Sequence, residues 1–235
     1  MKIPHVDFTK PENIILEMFE NDRWVKDEFA NSLAQGCQAF AESLAVAFAN
    51  FPALEKQANM KQGALVVNFI FGVLDDLVVS MKLLVSGKMT ASGNLMRQAI
   101  EGMCVAILCT AREPIAMGKE SVVYWEIVDD LKDERGRSHK AIWQVKANAE
   151  MLGIDAGALE RIGAARNHYN QFSHPNLLSA AMRMKFGELS TVFVGGTFDE
   201  AKLDAYRTEI KDRIGLSNIL PGLMRELTKR LANST

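Results

Sequence analysis

The segment Arg166-Asn-His-Tyr-Asn-Gln-Phe-Ser-His174-Pro concentrates residues that could do chemistry. On a helix, Asn167, Asn170, Gln171 and His174 project from one side, with Arg166 at its margin. Between Arg161 and Lys185 there are four basic residues and no acidic one, so this region can hold an anion. A histidine with its ordinary pKa of about 6.5 shuttles protons near neutrality, and a nearby arginine stabilises charge on a phosphorane. Together they suffice for metal-free RNA cleavage with the 2′-hydroxyl as nucleophile. His174 would act as acid or base and Arg166 would bind the phosphate, with Asn167, Asn170 and Ser173 contacting substrate. The plainer reading is a helix-end histidine that caps carbonyls and packs with Tyr169 and Phe172.

Two other polar sets interrupt apolar helices, where an unpaired buried polar group costs roughly 2–7 kcal/mol. Asn68, Asp75 and Lys82 recur at sevens with Asp76 and Ser80 beside them, and a solvated stripe accounts for that pattern. Asn94, Arg97, Gln98 and Glu101 share one face, with Arg97 and Glu101 spaced to form an ion pair. The helix that carries this pair is too apolar to be mostly solvated. Arg97 and Glu101 are therefore expected to meet the His174 region in space and to join substrate binding there.

The elements that must position these residues are helices, because long windows without proline or glycine carry apolar residues at helical spacing. Thr9 and Glu12 have the form of a capping box that opens a short helix to about Asn21. A second helix is expected from about Trp24 to Asn50, with Phe29, Leu33, Cys37, Phe40, Leu44 and Phe48 on one face and Pro52 ending it. A third covers about Lys61 to Val85. After the break at Ser86-Gly87-Lys88, Thr90 or Ser92 caps a fourth through Ala111, closed by Pro114. So short a loop makes the third and fourth antiparallel, the centre of an up-and-down bundle.

Residues from about Lys119 to Met151 read as one helix or two broken near Gly136, and Gly153 ends the stretch. Asp155 starts a helix that His174-Pro175 stops after Ser173. A small hairpin is expected near 183–198, pairing Arg183-Met-Lys-Phe with the β-branched run from Thr191. Thr197 and Glu200 then cap a C-terminal helix to about Leu231 that Pro221 should kink or split. The fold class is thus all-α, a single helical domain over 1–235.

Composition narrows the functional classes. With 235 residues the chain can bury a full core without disulfides, and 27 basic against 29 acidic residues create no global field toward nucleic acid or anionic lipid. Cys37, Cys104 and Cys109 are odd in number and lack CxxC spacing, which suits a reducing cytoplasm. The start, Met1 to Lys10, lacks the apolar segment of a signal peptide. Asp75, Asp76 and Lys82 interrupt the apolar stretch 64–85 before about 18 uncharged residues accumulate, so a buried helix is expected there and no membrane contact. No P-loop, GxSxG, HExxH or GxGxxG is present, nor the paired Glu-x-x-His of di-metal bundles, and neither metal nor cofactor is expected.

The hairpin from Asp75 through Leu95-Met-Arg-Gln-Ala-Ile-Glu101, followed by Tyr169 and Phe172-Ser-His-Pro175, resembles the helical families related to HEPN domains over about residues 61–180. In uncharacterised prokaryotic members an Arg…Glu helix precedes a Ser…His-Pro motif at a helix end. The resemblance implies a HEPN-like bundle with extra terminal helices. Its activity would be metal-independent RNA cleavage, or association with RNA or a nucleotide, of toxin or phage-defence type. A homodimer and an antitoxin-like partner are implied as well. Arg166, the polar Asn167 and His174 take the places of the family's catalytic pattern, with one residue more between arginine and histidine than that pattern holds. The alternative is a non-catalytic dimeric scaffold or ligand-binding module in which the same residues form a satisfied internal network.

Overall fold

Helical periodicity over most of the chain is met by helices in the structure, a computed structural model that describes residues 7–130, 132–185, 188–192 and 194–233. Of the regions read from sequence, the first six residues of the polar start and, in the hairpin region, Phe186 and Phe193 lie outside the described residues. The protein is an all-α bundle with small hairpins. Its long helices are α2 (Arg23–Glu55), α3 (Lys61–Val85), α4 (Met89–Cys109) and α9 (Leu203–Ala232). Shorter helices are α1 (Pro11–Phe19), α5 (Tyr124–Ile127), α6 (Ser138–Ala147), α7 (Ala156–Ser173) and α8 (Leu177–Ala181).

α4 lies at the centre. Every residue from Met103 to Ala111 is buried, the pattern of a helix covered on all sides, and α3, α6 and α7 all pack against it. α3 forms the antiparallel hairpin with α4 and buries Val66, Ile70, Val73, Leu74, Leu77 and Leu84. By length and composition alone α3 could cross a membrane, yet these residues belong to the core of the bundle. The first and last long helices, α2 and α9, lie side by side. Gly36 lets α9 approach closely enough that an added Cβ would stand 3.1 Å from Ile210, and Phe29, Phe198 and Tyr206 close the end of this pair as an aromatic cluster.

Several local expectations are corrected. Pro52 sits inside α2. The donor it lacks would have met the carbonyl of Phe48, and Phe48 is 40% exposed, so water can take that place. The non-helical residue within α2 is Leu33. Pro221 likewise lies inside a continuous α9. No side chain caps α1 or α4: Thr9 bonds to Asp7, and Ser92 turns inward. Asp199, not Thr197, caps the turn before α9, accepting from Ala201 N.

The region 119–151 contains less helix than expected. Strands β1 (Ile115–Met117) and β2 (Glu120–Val122) form a tight hairpin whose turn places Gly118 at φ 72°, a conformation that favours glycine. Asn148 closes it by accepting from Ala116 N at 2.7 Å and donating to Ala116 O at 3.0 Å. α6 starts only after Gly136, whose missing side chain admits the Ile127 carbonyl. The second hairpin lies where the sequence places one, with β3 (Met184–Lys185) against β4 (Glu188–Val192). α7 has the expected bounds, with Asp155 accepting from Ala158 N and His174 as the extended residue beyond its end.

Candidate functional site

Antiparallel packing of α3 and α4 brings two of the polar sets together. Asn68 and Asp76 from α3 face Asn94, Arg97, Gln98 and Glu101 from α4 across a groove of about 710 Å³, with Phe69 and Val73 also in its lining and Ser138 of α6 at its edge. This is within the size range of sites for small organic ligands. Gly102 keeps the helices close, since a Cβ there would lie 3.3 Å from Val73. Arg97 Nε donates to Glu101 Oε1 at 2.8 Å, and Ser138 Oγ reaches Glu101 Oε2 at 3.4 Å. The pair is mostly covered, at 21% and 10% side-chain exposure.

Asp76 is the anomaly in this groove. It is buried, and no described residue donates a hydrogen bond to it. Burial, with help from the neighbouring Asp75 charge, pushes its carboxyl up to about 6. Such a group exchanges protons near neutral pH and attracts any cation or N–H donor that enters. It also carries a stability cost. A carboxyl raised from its ordinary value to about 6 would cost about 3 kcal/mol at neutral pH in a dry interior. Water in the groove screens that to about 1–2 kcal/mol.

Because the folded state holds this proton more tightly, the contribution of Asp76 is most favourable below about pH 4 and is lost as pH rises toward 6. Asp76→Asn should therefore be more stable than wild type by about 1–2 kcal/mol at pH 7.5, with the difference vanishing near pH 4. Urea melts at the two pH values check this, and equal stability at pH 7.5 would contradict an unpaired buried carboxylate.

The α7 residues lie elsewhere. His174 and Asn167 are exposed, Asn170 is half-buried, and Ser173 Oγ donates to the Tyr169 carbonyl. Arg166 is half-buried over the Trp143 ring at 5.0 Å, with its Nε enclosed and without a hydrogen-bond partner among the described residues. His174 lies eight positions after Arg166, just past the end of α7 and about 12 Å along its axis. The expected meeting of Arg97 and Glu101 with the His174 region does not occur. The groove has no lining residue from α7, and among the described residues no hydrogen bond or ion pair joins the two sets. The reason is the docking of α7, which packs on α4 through Phe172 against Gly93, while Arg97 and Glu101 turn toward α3 and Ser138.

A third constellation escapes the sequence reading. Arg213 of α9 is fully buried. Its Nε donates to Ser80 Oγ at 2.8 Å, its Nη2 to Ser92 Oγ, and its Nη1 to both the carbonyl and the Oε2 of Glu209. Glu209 in turn meets His168 Nε2 at 3.0 Å and accepts from Tyr169 OH at 3.3 Å, and the same hydroxyl reaches Asp212 at 3.2 Å. Burial alone would raise the Glu209 carboxyl, but the hydrogen bond from His168 and the Arg213 charge outweigh it and hold it below the usual range. Conversely, the bond to Glu209 raises the His168 imidazole.

The available signal was the stripe Tyr206, Ile210, Leu216, Leu220, Met224, within which Glu209 and Arg213 stand at i, i+4 on the buried face, with Ser217 one turn further. This satisfied network joins α3, α4, α7 and α9. Comparison with known proteins finds no matching family model, no matching curated protein and no matching solved structure.

Proposed function

We propose that the protein is a ligand-binding helical bundle whose α3–α4 groove takes a small molecule rich in hydrogen-bond donors, such as an amine, an amidine or the amino edge of a nucleobase. The observation that carries this reading is Asp76, a mostly covered residue whose carboxyl opens on the groove and takes no hydrogen bond from a described residue, so that a donor from the ligand would stabilise its charge. The carboxamides of Asn68, Asn94 and Gln98 supply donors and acceptors for orientation, and the Arg97–Glu101 pair stiffens the opposite wall. The protein works in this reading in the cytoplasm, where three free thiols stay reduced.

Titration calorimetry with agmatine, benzamidine and adenosine tests it. At least one should bind wild type at pH 7.5 and lose tenfold or more in affinity in Asp76→Asn. Absence of binding by all three, or equal affinity in the variant, refutes the proposal.

The ribonuclease reading has its own support in the open His174 at the end of α7 and in the Arg166 cation, whose Nε lacks a partner among the described residues. It calls for a HEPN-like homodimer in which two copies of α7 meet at the axis and pool their positive charge. Cleavage of single-stranded RNA should then persist in EDTA and disappear in His174→Ala with the dimer intact. A monomer at micromolar concentration by sedimentation, or cleavage indifferent to His174→Ala, removes it.

A further inference from the structure

The polar network between α7 and α9 is closed at its inner end by Arg213 and open at its outer end, where His168, Glu209 and Asp212 bring one nitrogen and two carboxylate donors within 4.8 Å of one another. We propose that these three side chains form a binding site for a divalent transition-metal ion, Zn²⁺ or Co²⁺ by donor chemistry, independent of the α3–α4 groove.

The donors lie close enough for a metal to draw them together. Two ligands of a tetrahedral ion, each at about 2.1 Å, are about 3.4 Å apart. His168 Nε2 and Glu209 Oε1 stand at 3.0 Å, so a small opening of this pair admits the ion. Glu209 and Asp212 are spaced i, i+3 on α9 and so point the same way, toward the histidine presented by α7. The surrounding groups orient the donors as outer partners of a metal site do. Tyr169 OH reaches Glu209 Oε2 and Asp212 Oδ2, and Arg213 also binds Glu209 Oε2, so Oε1 faces His168. The imidazole is held edgewise against Tyr169 and Phe172 at 4.8 and 5.5 Å, which fixes its plane.

Charge and access agree with this assignment. Two carboxylates outnumber one guanidinium, and a divalent cation takes the place of the proton that His168 shares with Glu209. Glu209 is buried, yet the His168 side chain is 40% exposed, so an ion can reach the donors from solvent. One imidazole with two carboxylates suits borderline first-row ions, whereas Mg²⁺ and Ca²⁺ prefer oxygen donors alone. Three protein ligands leave at least one position for water, the arrangement of an exchangeable site and not of a closed structural one.

Cobalt titration of the full chain provides the test. Co²⁺ should give visible d–d absorption saturating at one ion per chain, and Zn²⁺ should abolish it by displacement. Asp212→Asn should weaken Co²⁺ at least tenfold, and His168→Gln should remove the nitrogen ligand and the absorption band, while His174→Ala changes neither. Far-UV circular dichroism establishes that each variant is folded. Should His168→Gln fail to fold, Asp212→Asn decides the question alone. Stoichiometry far below one at millimolar Co²⁺, or equal affinity in Asp212→Asn, overturns the proposal.

Discussion

Arg213→Met should destabilise the bundle by about 3–5 kcal/mol, the cost of breaking a buried ion pair from one side. The guanidinium is fully buried and satisfies Glu209, Ser80 and Ser92 at once, so methionine fills part of the volume and leaves the Glu209 charge without its main counterion. Against a total stability of about 5–15 kcal/mol, this loss is large enough to shift the urea midpoint far to the left. Arg213→Met combined with Glu209→Leu removes both charges and should recover part of the loss, because what is expensive is the orphaned partner. A single-variant loss below about 1 kcal/mol would mean that the guanidinium is hydrated.

Gly93→Ala is the second large effect expected, at about 1–3 kcal/mol of destabilisation from overpacking. A Cβ at position 93 would stand 2.5 Å from Cγ and 2.9 Å from Cβ of Phe172. Those atoms are close to the backbone of α7 and cannot swing away as the tip of a long side chain would, so α7 itself must shift. Phe172→Leu in the Gly93→Ala background should cost less than in wild type, since the smaller side chain relieves the clash. This coupling is measurable in a double-mutant cycle, and strict additivity would show that the two residues are not in contact. Displacement of α7 would also move His168, so Gly93→Ala should weaken cobalt binding without touching a donor.

Much of this architecture is legible in the sequence because local chemistry specifies it. The bounds of α3 follow from a long window of apolar residues at helical spacing, and those of α7 from an aspartate that caps and a His-Pro that stops. The polar faces of α3 and α4 were visible as sets and the short loop made the two helices antiparallel, but that the sets line one groove was not read. What escaped depends on partners distant in sequence. Pro52 reads as a terminator, and its tolerance depends on the solvent exposure of the turn before it. The 115–122 hairpin has strands of three residues, too short for alternation to register, and it is fastened by Asn148 from the far side of α6. Ser92 resembles a cap until Arg213 arrives to claim its hydroxyl, and no spacing rule links those two positions. For the same reason the destination of Arg97 and Glu101 could not be read: it depends on which face of α4 receives α7.

The contacts of that buried arginine also set a schedule. They span 133 positions to Ser80 and 121 to Ser92, and α9 lies along α2. At about 5–20 residues per second, a ribosome needs about 6–24 s to travel from Ser92 to Arg213. Throughout that interval the inner face of α2 has no α9 to cover it, and the two serine hydroxyls lack their guanidinium. Contacts of such long range are slow to form because the entropy of closing the chain must be met before they contribute. The bundle therefore closes only after translation has passed α9, and until then the nascent chain holds apolar surface open to water.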